Sequence, residues 1–169
     1  NPQVFTFSND WTKIFLTGNN GDDVNEYTLS TGFDVSTASF VDSFDISSQE
    51  EGPRDLAFNA DGTKMFVVGV LGDDVNEYTL STAFDVSTST FVDSFDISSQ
   101  ENSPTGLAFS KDGTKMFVAG NGGDDINEYT LSTGFDVSTA SFVDSFDVSS
   151  QDTAPNGMTF NNDGTKMYV

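Results

Sequence analysis

The sequence predicts an all-β protein, and three observations support that prediction. One pattern recurs every 51 residues: Asp-Gly-Thr-Lys-Met-Phe-Val begins at Asp61 and Asp112, and a Tyr-Val variant begins at Asp163. Phe contributes 17 residues and aromatics make up 13%, which is enough apolar material for a packed core. Lys and Arg together number only 6, whereas Phe, Val, Thr and Ser are frequent, and this balance favours strands over helices.

Each repeat holds four apolar segments separated by turn signals, as the second repeat illustrates. Residues 56–58 form a short first strand, which ends before Asp61-Gly62, where glycine allows the positive φ of a tight hairpin. Residues 65–68 are a continuous apolar run, as in a strand that is buried on both faces. Residues 75–80 are the predicted third strand, in which period-two alternation puts Tyr78 and Leu80 on one face. The first three strands of a repeat therefore form its interior.

The fourth segment, residues 91–97, is amphipathic. Period-two alternation puts Phe91, Phe95 and Ile97 on one face and Val92, Ser94 and Asp96 on the other, the pattern of a half-exposed edge strand. A unit of four antiparallel strands with an apolar interior and an amphipathic edge predicts the blade of a β-propeller.

The repeat length divides the chain into about 3.3 blades, and we place them at about residues 2–52, 53–103 and 104–154, with a partial blade at 155–169. The second and third units are identical at 36 of 51 positions. Propellers close with roughly 4–8 blades, so we expect a homo-oligomer, or the remainder of a larger propeller, to complete the ring.

Composition excludes several classes of function. The chain has no His and no Cys, which excludes Ser-His-Asp and Cys-His nucleophiles, zinc fingers and disulfide frameworks. Its formal net charge is −21, so phosphate backbones and anionic membranes repel it. We therefore expect no nucleic-acid partner and no membrane partner.

The differences between repeats gather in two kinds of loop that a propeller places on one rim. These are the strand 2–3 loops at 18–23, 69–74 and 120–125, and the blade-to-blade linkers at 49–55, 100–106 and 151–157. If the protein recognises a ligand such as a glycan or a protein, this rim is where we expect it. The alternative is that unpacked loops simply drift in sequence. The candidate ligand-binding residues are Arg54, Asp55, Thr105, Asn121 and Asn156.

Paired carboxylates recur on the same rim. Ca²⁺ takes several oxygen ligands, including carboxylates, but the spacing does not reproduce a known calcium loop. A structural turn is the simpler interpretation, so no cofactor is predicted beyond a possible Ca²⁺. The candidate metal ligands are Asp22, Asp23, Asp73, Asp74, Asp124 and Asp125.

Three further repeated features have a structural interpretation. Two aspartates recur on each fourth strand, such as Asp93 and Asp96, and glycosidases also use a pair of carboxylates. The simpler interpretation is that charges on an edge strand prevent edge-to-edge pairing. One Lys per repeat, as at Lys64, is expected to offset the charge of the turn Asp. Trp11 occupies the position of Gly62, so the first hairpin needs a different turn or is strained.

The repeat pattern P-x-x-L-A-F-x-x-D-G-T-K-M-F-V-x-G, followed by D-x-V-N-E-Y-T-L, resembles the YVTN/WD40-type propellers of secreted and surface-layer proteins. The resemblance implies a propeller over the whole chain and leaves function open. We expect an extracellular or cell- or virion-surface module that binds or serves a structural role, and not an enzyme. The alternative is a carboxylate- or calcium-dependent hydrolase of lactonase or glycosidase type.

Overall fold

The computed structural model describes residues 2–18 and 21–169, and strands fill about half of them. The helical elements of these residues are three single 3-10 turns, Val35–Thr37, Val86–Thr88 and Val137–Thr139. No helix in the described part of the chain has the length and apolar character needed to span a membrane. The strands are β1 (Pro2–Phe7), β2 (Lys13–Gly18), β3 (Asp23–Leu29), β4 (Ala38–Asp45), β5 (Pro53–Phe58), β6 (Lys64–Gly69), β7 (Asp74–Leu80), β8 (Ser89–Asp96), β9 (Pro104–Phe109), β10 (Lys115–Gly120), β11 (Asp125–Leu131), β12 (Ala140–Asp147), β13 (Thr159–Phe160) and β14 (Met167–Tyr168).

The strands pair antiparallel in chain order within four separate sheets, β1 to β4, β5 to β8, β9 to β12, and β13 with β14. We call them blades 1 to 4, of which blade 4 has only its first two strands. The first strands of successive blades, β1, β5 and β9, lie beside one another, as expected of the innermost strands around a propeller axis. The predicted all-β fold with four-stranded propeller blades is confirmed.

The apolar core lies between blades. Blades 1 and 2 enclose Phe15, Met65 and Tyr78, all fully buried, and blades 2 and 3 enclose their counterparts Phe66, Met116 and Tyr129. Aromatic rings meet across each interface, with the Phe15 and Phe58 centroids 4.5 Å apart and the Phe66 and Phe109 centroids 4.4 Å apart. Because the inner strands of blade 2 have a blade on either side, most of their side chains are buried, including polar ones such as Asp55 and Glu77.

The outer strand departs from the predicted alternation. A β-bulge interrupts the pairing of β7 with β8 opposite Glu77 and Tyr78, and the additional residue reverses the faces beyond it. Phe91 therefore packs on Tyr78 of its own blade at 5.7 Å, while Phe95 reaches Tyr129 of the next blade at 5.6 Å. The prediction that Phe91 and Phe95 share a face was wrong.

The hairpin between the first two strands confirms the need for a left-handed residue. Gly62, Gly113 and Gly164 have φ of 72°, 71° and 71°, and Trp11 adopts φ 60° at the equivalent position. Its indole stacks on Phe33, with the ring centroids 4.5 Å apart. Stacking offsets part of the cost of a left-handed side-chain-bearing residue, which is about 1–2 kcal/mol.

A repeated ion pair joins blade 1 to blade 2 and blade 2 to blade 3. Lys13 Nζ lies 2.7 Å from Glu26 Oε1 and donates to the carbonyl of Phe84 in blade 2, also at 2.7 Å. The other oxygen, Glu26 Oε2, accepts from the backbone N–H of Val86 at 3.0 Å. We call this arrangement the Lys–Glu clamp. The lysine thus pairs with a strand 3 glutamate and not with the turn aspartate as predicted.

Candidate functional site

The strand 2–3 loops and the blade-to-blade linkers meet on one face of the array, which we call the linker rim. In blade 2 the N–H of Ile97, the residue after β8, donates to the carbonyl of Asp73 at 2.9 Å, and the N–H of Val70 donates to the carbonyl of Gly52 in the preceding linker at 3.2 Å. The opposite face, formed by the strand 1–2 hairpins and strand 3–4 loops, is the hairpin rim. Residues 19 and 20 of the first loop lie outside the described residues.

Two buried glutamates organise the linker rim, and the sequence predictions missed them. Glu50 is 1% exposed, and its carboxylate accepts from the N–H groups of Gly52, Leu71 and Gly72 at 2.6, 3.3 and 3.2 Å. Burial raises its pKa, and the nearby charge of Asp74 adds to that effect. Glu101 repeats the arrangement in the next blade. The signal in the sequence was an acidic residue at the same place in each linker.

Four equivalent positions lie where the chain enters a blade, the first three at the start of a strand and the last one three residues before β13: Gln3, Arg54, Thr105 and Asn156. Arg54 Nη1 donates to Gln3 Oε1 at 3.1 Å across the interface of blades 1 and 2. Thr105 is 8% exposed and its hydroxyl donates to the carbonyl of Pro155 at 2.6 Å. Asn156 is exposed, as is the more distant Asn121. Arg54 and Gln3 are thus the pair of side chains from this set that meets across a blade interface.

Asp55, next to Arg54, is a buried carboxyl with a strongly perturbed pKa. It is 9% exposed. Its two oxygens accept from the N–H of Leu56 and from that of Leu107 in blade 3, each at 2.7 Å. Burial raises its pKa to about 6, although both hydrogen bonds oppose the shift. The equivalent residues are Val4, Gly106 and Gly157, so the described blades provide this group once.

The candidate metal ligands make hydrogen bonds that fix the strand 2–3 loops and the beginning of the third strands. Asp22, Asp73 and Asp124 have φ of 48°, 49° and 51°, and each backbone carbonyl accepts from the N–H of the residue that follows the fourth strand of the same blade. Asp23, Asp74 and Asp125 each accept from the Asn two residues later, at 2.8, 2.7 and 2.7 Å. In the described residues no three acidic side chains converge in a metal-binding arrangement. Calcium at the paired aspartates stays a prediction.

The fourth-strand aspartates accept hydrogen bonds from backbone N–H groups one or two residues later in the chain. Asp93 Oδ1 accepts from the N–H of Ser94 at 2.9 Å, and Asp96 Oδ1 from that of Ser98 at 2.8 Å. The hydrogen bonds from Ser98 lower the pKa of Asp96. These contacts provide no positive support for a glycosidase pair.

Comparison with known proteins identifies the family. A family model described as lactonase, seven-bladed β-propeller, matches residues 6–169. The chain belongs to this lactonase family. The expectation that the protein is not an enzyme was therefore wrong, because the family is an enzyme-type propeller. The propeller resemblance inferred from the repeats is confirmed, while the matching family is the lactonase one and not a surface-layer type. No curated protein matches the chain by sequence.

Solved structures with the same fold include a gluconolactonase and candidate 6-phosphogluconolactonases. A candidate 6-phosphogluconolactonase of Bacteroides uniformis aligns with a TM-score of 0.71 at 15% identity, covering 99% of the present chain and 46% of that one. The periplasmic gluconolactonase of Pseudomonas aeruginosa aligns with a TM-score of 0.65 at 20% identity, covering 88% of the present chain and 40% of that one. The present chain thus spans less than half the length of these structures.

Proposed function

We propose that this chain forms part of a propeller that hydrolyses sugar lactones, with the reacting groups at Arg54 and Asp55. The observation that carries the proposal is the lactonase family match over residues 6–169. Within the described residues, Asp55 combines a position on an innermost strand with a pKa of about 6. Arg54 is the single arginine of the chain. Arg54 directly precedes Asp55 in the chain, and a carboxyl group with a strongly perturbed pKa is typical of catalytic sites.

Lactone hydrolysis needs a base for water and a donor for the oxygen of the carbonyl group. The Asp55 carboxylate accepts a proton from water as the water oxygen bonds to the carbonyl carbon. The Arg54 guanidinium stabilises the resulting oxyanion. When the bond between that carbon and the ring oxygen breaks, protonated Asp55 returns the proton to the ring oxygen. The product is an open-chain hydroxy acid, and both residues end in their starting protonation states.

The repeats provide natural substitutions for testing these roles. Arg54→Gln introduces the residue that blade 1 has at this position, and Asp55→Asn keeps the size of the side chain. We expect Asp55→Asn to lower kcat by about 10²–10⁴-fold for a hydrolysed lactone. In the wild type, activity should rise with pH through a pKa near 6, because the base must be ionised. Asp61→Asn, on the hairpin rim, is the matched control.

Two results would contradict this assignment at different levels. Unchanged turnover by Asp55→Asn would exclude it as the base while leaving lactone hydrolysis intact. No turnover of any lactone in a panel of aldonolactones, measured by acid release, would contradict the function itself.

A second candidate is a binding role for the same rim. Radical differences between repeats gather there, such as Arg54 against Thr105 and Asn156, and the repeats resemble those of secreted and surface-layer propellers. An extracellular or surface location and a glycan or protein ligand belong to this proposal. Glycan-array binding without lactone turnover would favour it over catalysis.

Ring completion is part of either proposal. The family has seven blades, and the open face of blade 3 has a concavity lined by Phe117, Glu128 and Phe160, where further strands of a fourth blade would pack. We propose that the remainder of a larger propeller, or further copies of the chain, completes the ring. Light scattering distinguishes these, since a monodisperse monomer would exclude the homo-oligomer.

A further inference from the structure

The positive charges of the chain are segregated by rim. Every lysine lies on the hairpin rim, either at the start of a second strand or in a strand 1–2 hairpin. Three of these lysines are also paired with a strand 3 glutamate. Arg54, at the beginning of β5, is the one cation that the described blades place at the linker rim. The lysines of the hairpin rim are Lys13, Lys64, Lys111, Lys115 and Lys166.

About half of the 27 acidic residues lie on the linker rim, the same rim as Arg54. They come from the strand 2–3 loops, from the ends of the fourth strands and from the linkers. These residues are Asp22, Asp23, Asp45, Glu50, Glu51, Asp55, Asp73, Asp74, Asp96, Glu101, Asp124, Asp125, Asp147 and Asp152.

The acidic residues of this rim are close enough to act on one another. In blade 2, burial raises the pKa of Asp74, and the negative charges of Asp96 and Asp73 raise it further. In blade 3, burial raises the pKa of Asp125, and the charges of Glu101, Asp147 and Asp124 add to this. A rim with these interactions has a negative potential that a single guanidinium does not cancel.

From this charge distribution we infer that the substrate is an uncharged sugar lactone and not a phosphorylated one. This inference rests on the proposed lactone hydrolysis. A phosphate ester carries about two negative charges at neutral pH, and its binding sites normally offer several cations or helix N-termini. The described part of the linker rim offers one arginine, which the oxyanion of the reaction already requires. An uncharged lactone meets no such repulsion on its way to Asp55.

The test compares gluconolactone with its 6-phosphate. At low ionic strength we expect kcat/KM for gluconolactone to exceed that for the phosphate ester by at least about 10-fold, since electrostatic effects on association span about 10–10³-fold. Added salt screens the repulsion, so the ratio should fall between about 0.01 M and 0.5 M NaCl, while turnover of gluconolactone stays nearly constant.

Two charge variants locate the effect, and each introduces a lysine on one rim. Glu51 is exposed, two residues before β5, and Glu51→Lys reverses a charge on the linker rim. Ala60→Lys introduces on the hairpin rim the residue that the third repeat has there, Lys111. We expect Glu51→Lys to raise kcat/KM for the phosphate ester several-fold and to leave that for gluconolactone unchanged. Ala60→Lys should change neither.

The possible outcomes separate this inference from the function on which it rests. Preference for the phosphate ester, or a ratio insensitive to both salt and Glu51→Lys, would overturn the inference and leave lactone hydrolysis standing. Hydrolysis of neither lactone would overturn the proposed function and this inference with it.

Discussion

The Lys–Glu clamp between blades 2 and 3 should make a large contribution to stability. Glu77 is buried, with 2% of its side chain exposed, and Oε1 lies 2.6 Å from Lys64 Nζ. Its Oε2 accepts from the N–H of Val137 at 3.0 Å, and Lys64 Nζ donates to the carbonyl of Phe135 at 2.5 Å. Both charged groups thus hold the strand 3–4 loop of blade 3. The perturbation that isolates the clamp is Glu77→Gln.

The size of the effect follows from burial. Removing one partner of a buried ion pair costs about 3–5 kcal/mol when the other charge stays buried. Lys64 keeps 26% of its side chain exposed, so hydration recovers part of this. The amide that Glu77→Gln introduces has one acceptor oxygen where the carboxylate has two, so Lys64 or Val137 loses its partner. We therefore expect the free energy of unfolding to fall by about 2–3 kcal/mol.

The chain carries its own control in blade 3. Lys115 and Glu128 form the same pair at 2.5 Å on the open face, where their side chains are 51% and 30% exposed. An exposed pair contributes about 0–1 kcal/mol, so Glu128→Gln should have little effect on stability. Urea unfolding followed by fluorescence measures both variants, and the midpoint of Glu77→Gln should fall by about 1 M for a typical denaturant slope.

Equal losses in the two variants would refute this reasoning, because the local pair is the same and only the contacts to the next blade differ. The double variant Lys64→Met/Glu77→Leu adds a second check. It removes both charges together, and it should recover part of the stability that Glu77→Gln loses.

Three further predictions concern titration, backbone conformation and charge. The pKa of Asp55 is raised to about 6 from 3.8, so the folded state favours the protonated carboxyl, and the free energy of unfolding falls as pH rises from about 4 to 6. Relative to Asp55→Asn, the wild type should lose about 3 kcal/mol of stability over this window, as measured by urea titrations at each pH. A constant difference between the two proteins would contradict the pKa shift. Gly113→Ala should destabilise more than Gly164→Ala, because both have φ of 71° but an added Cβ meets the ring of Phe135 only at Gly113; equal changes in Tm would contradict this steric explanation. The net charge of −21 should make Tm rise between low salt and about 0.5 M NaCl, because salt screens the repulsion between acidic residues. In a separate measurement, the same Tm in excess Ca²⁺ and in EDTA would contradict the calcium prediction.

The repeat made the fold predictable. A 51-residue period with four apolar segments leaves few architectures, because each segment must bury its faces against neighbouring copies. Turn chemistry was predictable for the same reason: Gly62 and Trp11 share a position, and both adopt a positive φ. The outer strand was not predictable from alternation, because a bulge depends on the pairing of two strands and leaves no period in the sequence.

The candidate site was predictable as a region but not as a set of interactions. Comparison of repeats pointed to Arg54 and Asp55 as unusual residues of the linker rim. The burial of Asp55 and its bond to Leu107 depend on a neighbouring blade 52 residues away in the chain. The partner of Lys64 is likewise set by the register of β6 against β7, which brings Glu77 within reach.

The sequence by itself determined the blade, its copy number, the absence of His and Cys chemistry, and the acidity of the whole chain. These properties belong to each repeat or to composition, and they do not depend on how blades pack. The tertiary structure decided which charges are buried, which are paired and which share a rim. The reason is that equivalent positions of different repeats have different neighbours in the folded chain. Glu77 accepts a hydrogen bond from the next blade, whereas Glu128, within the described residues, does not. Asp55 is buried at a position where the next repeat has glycine.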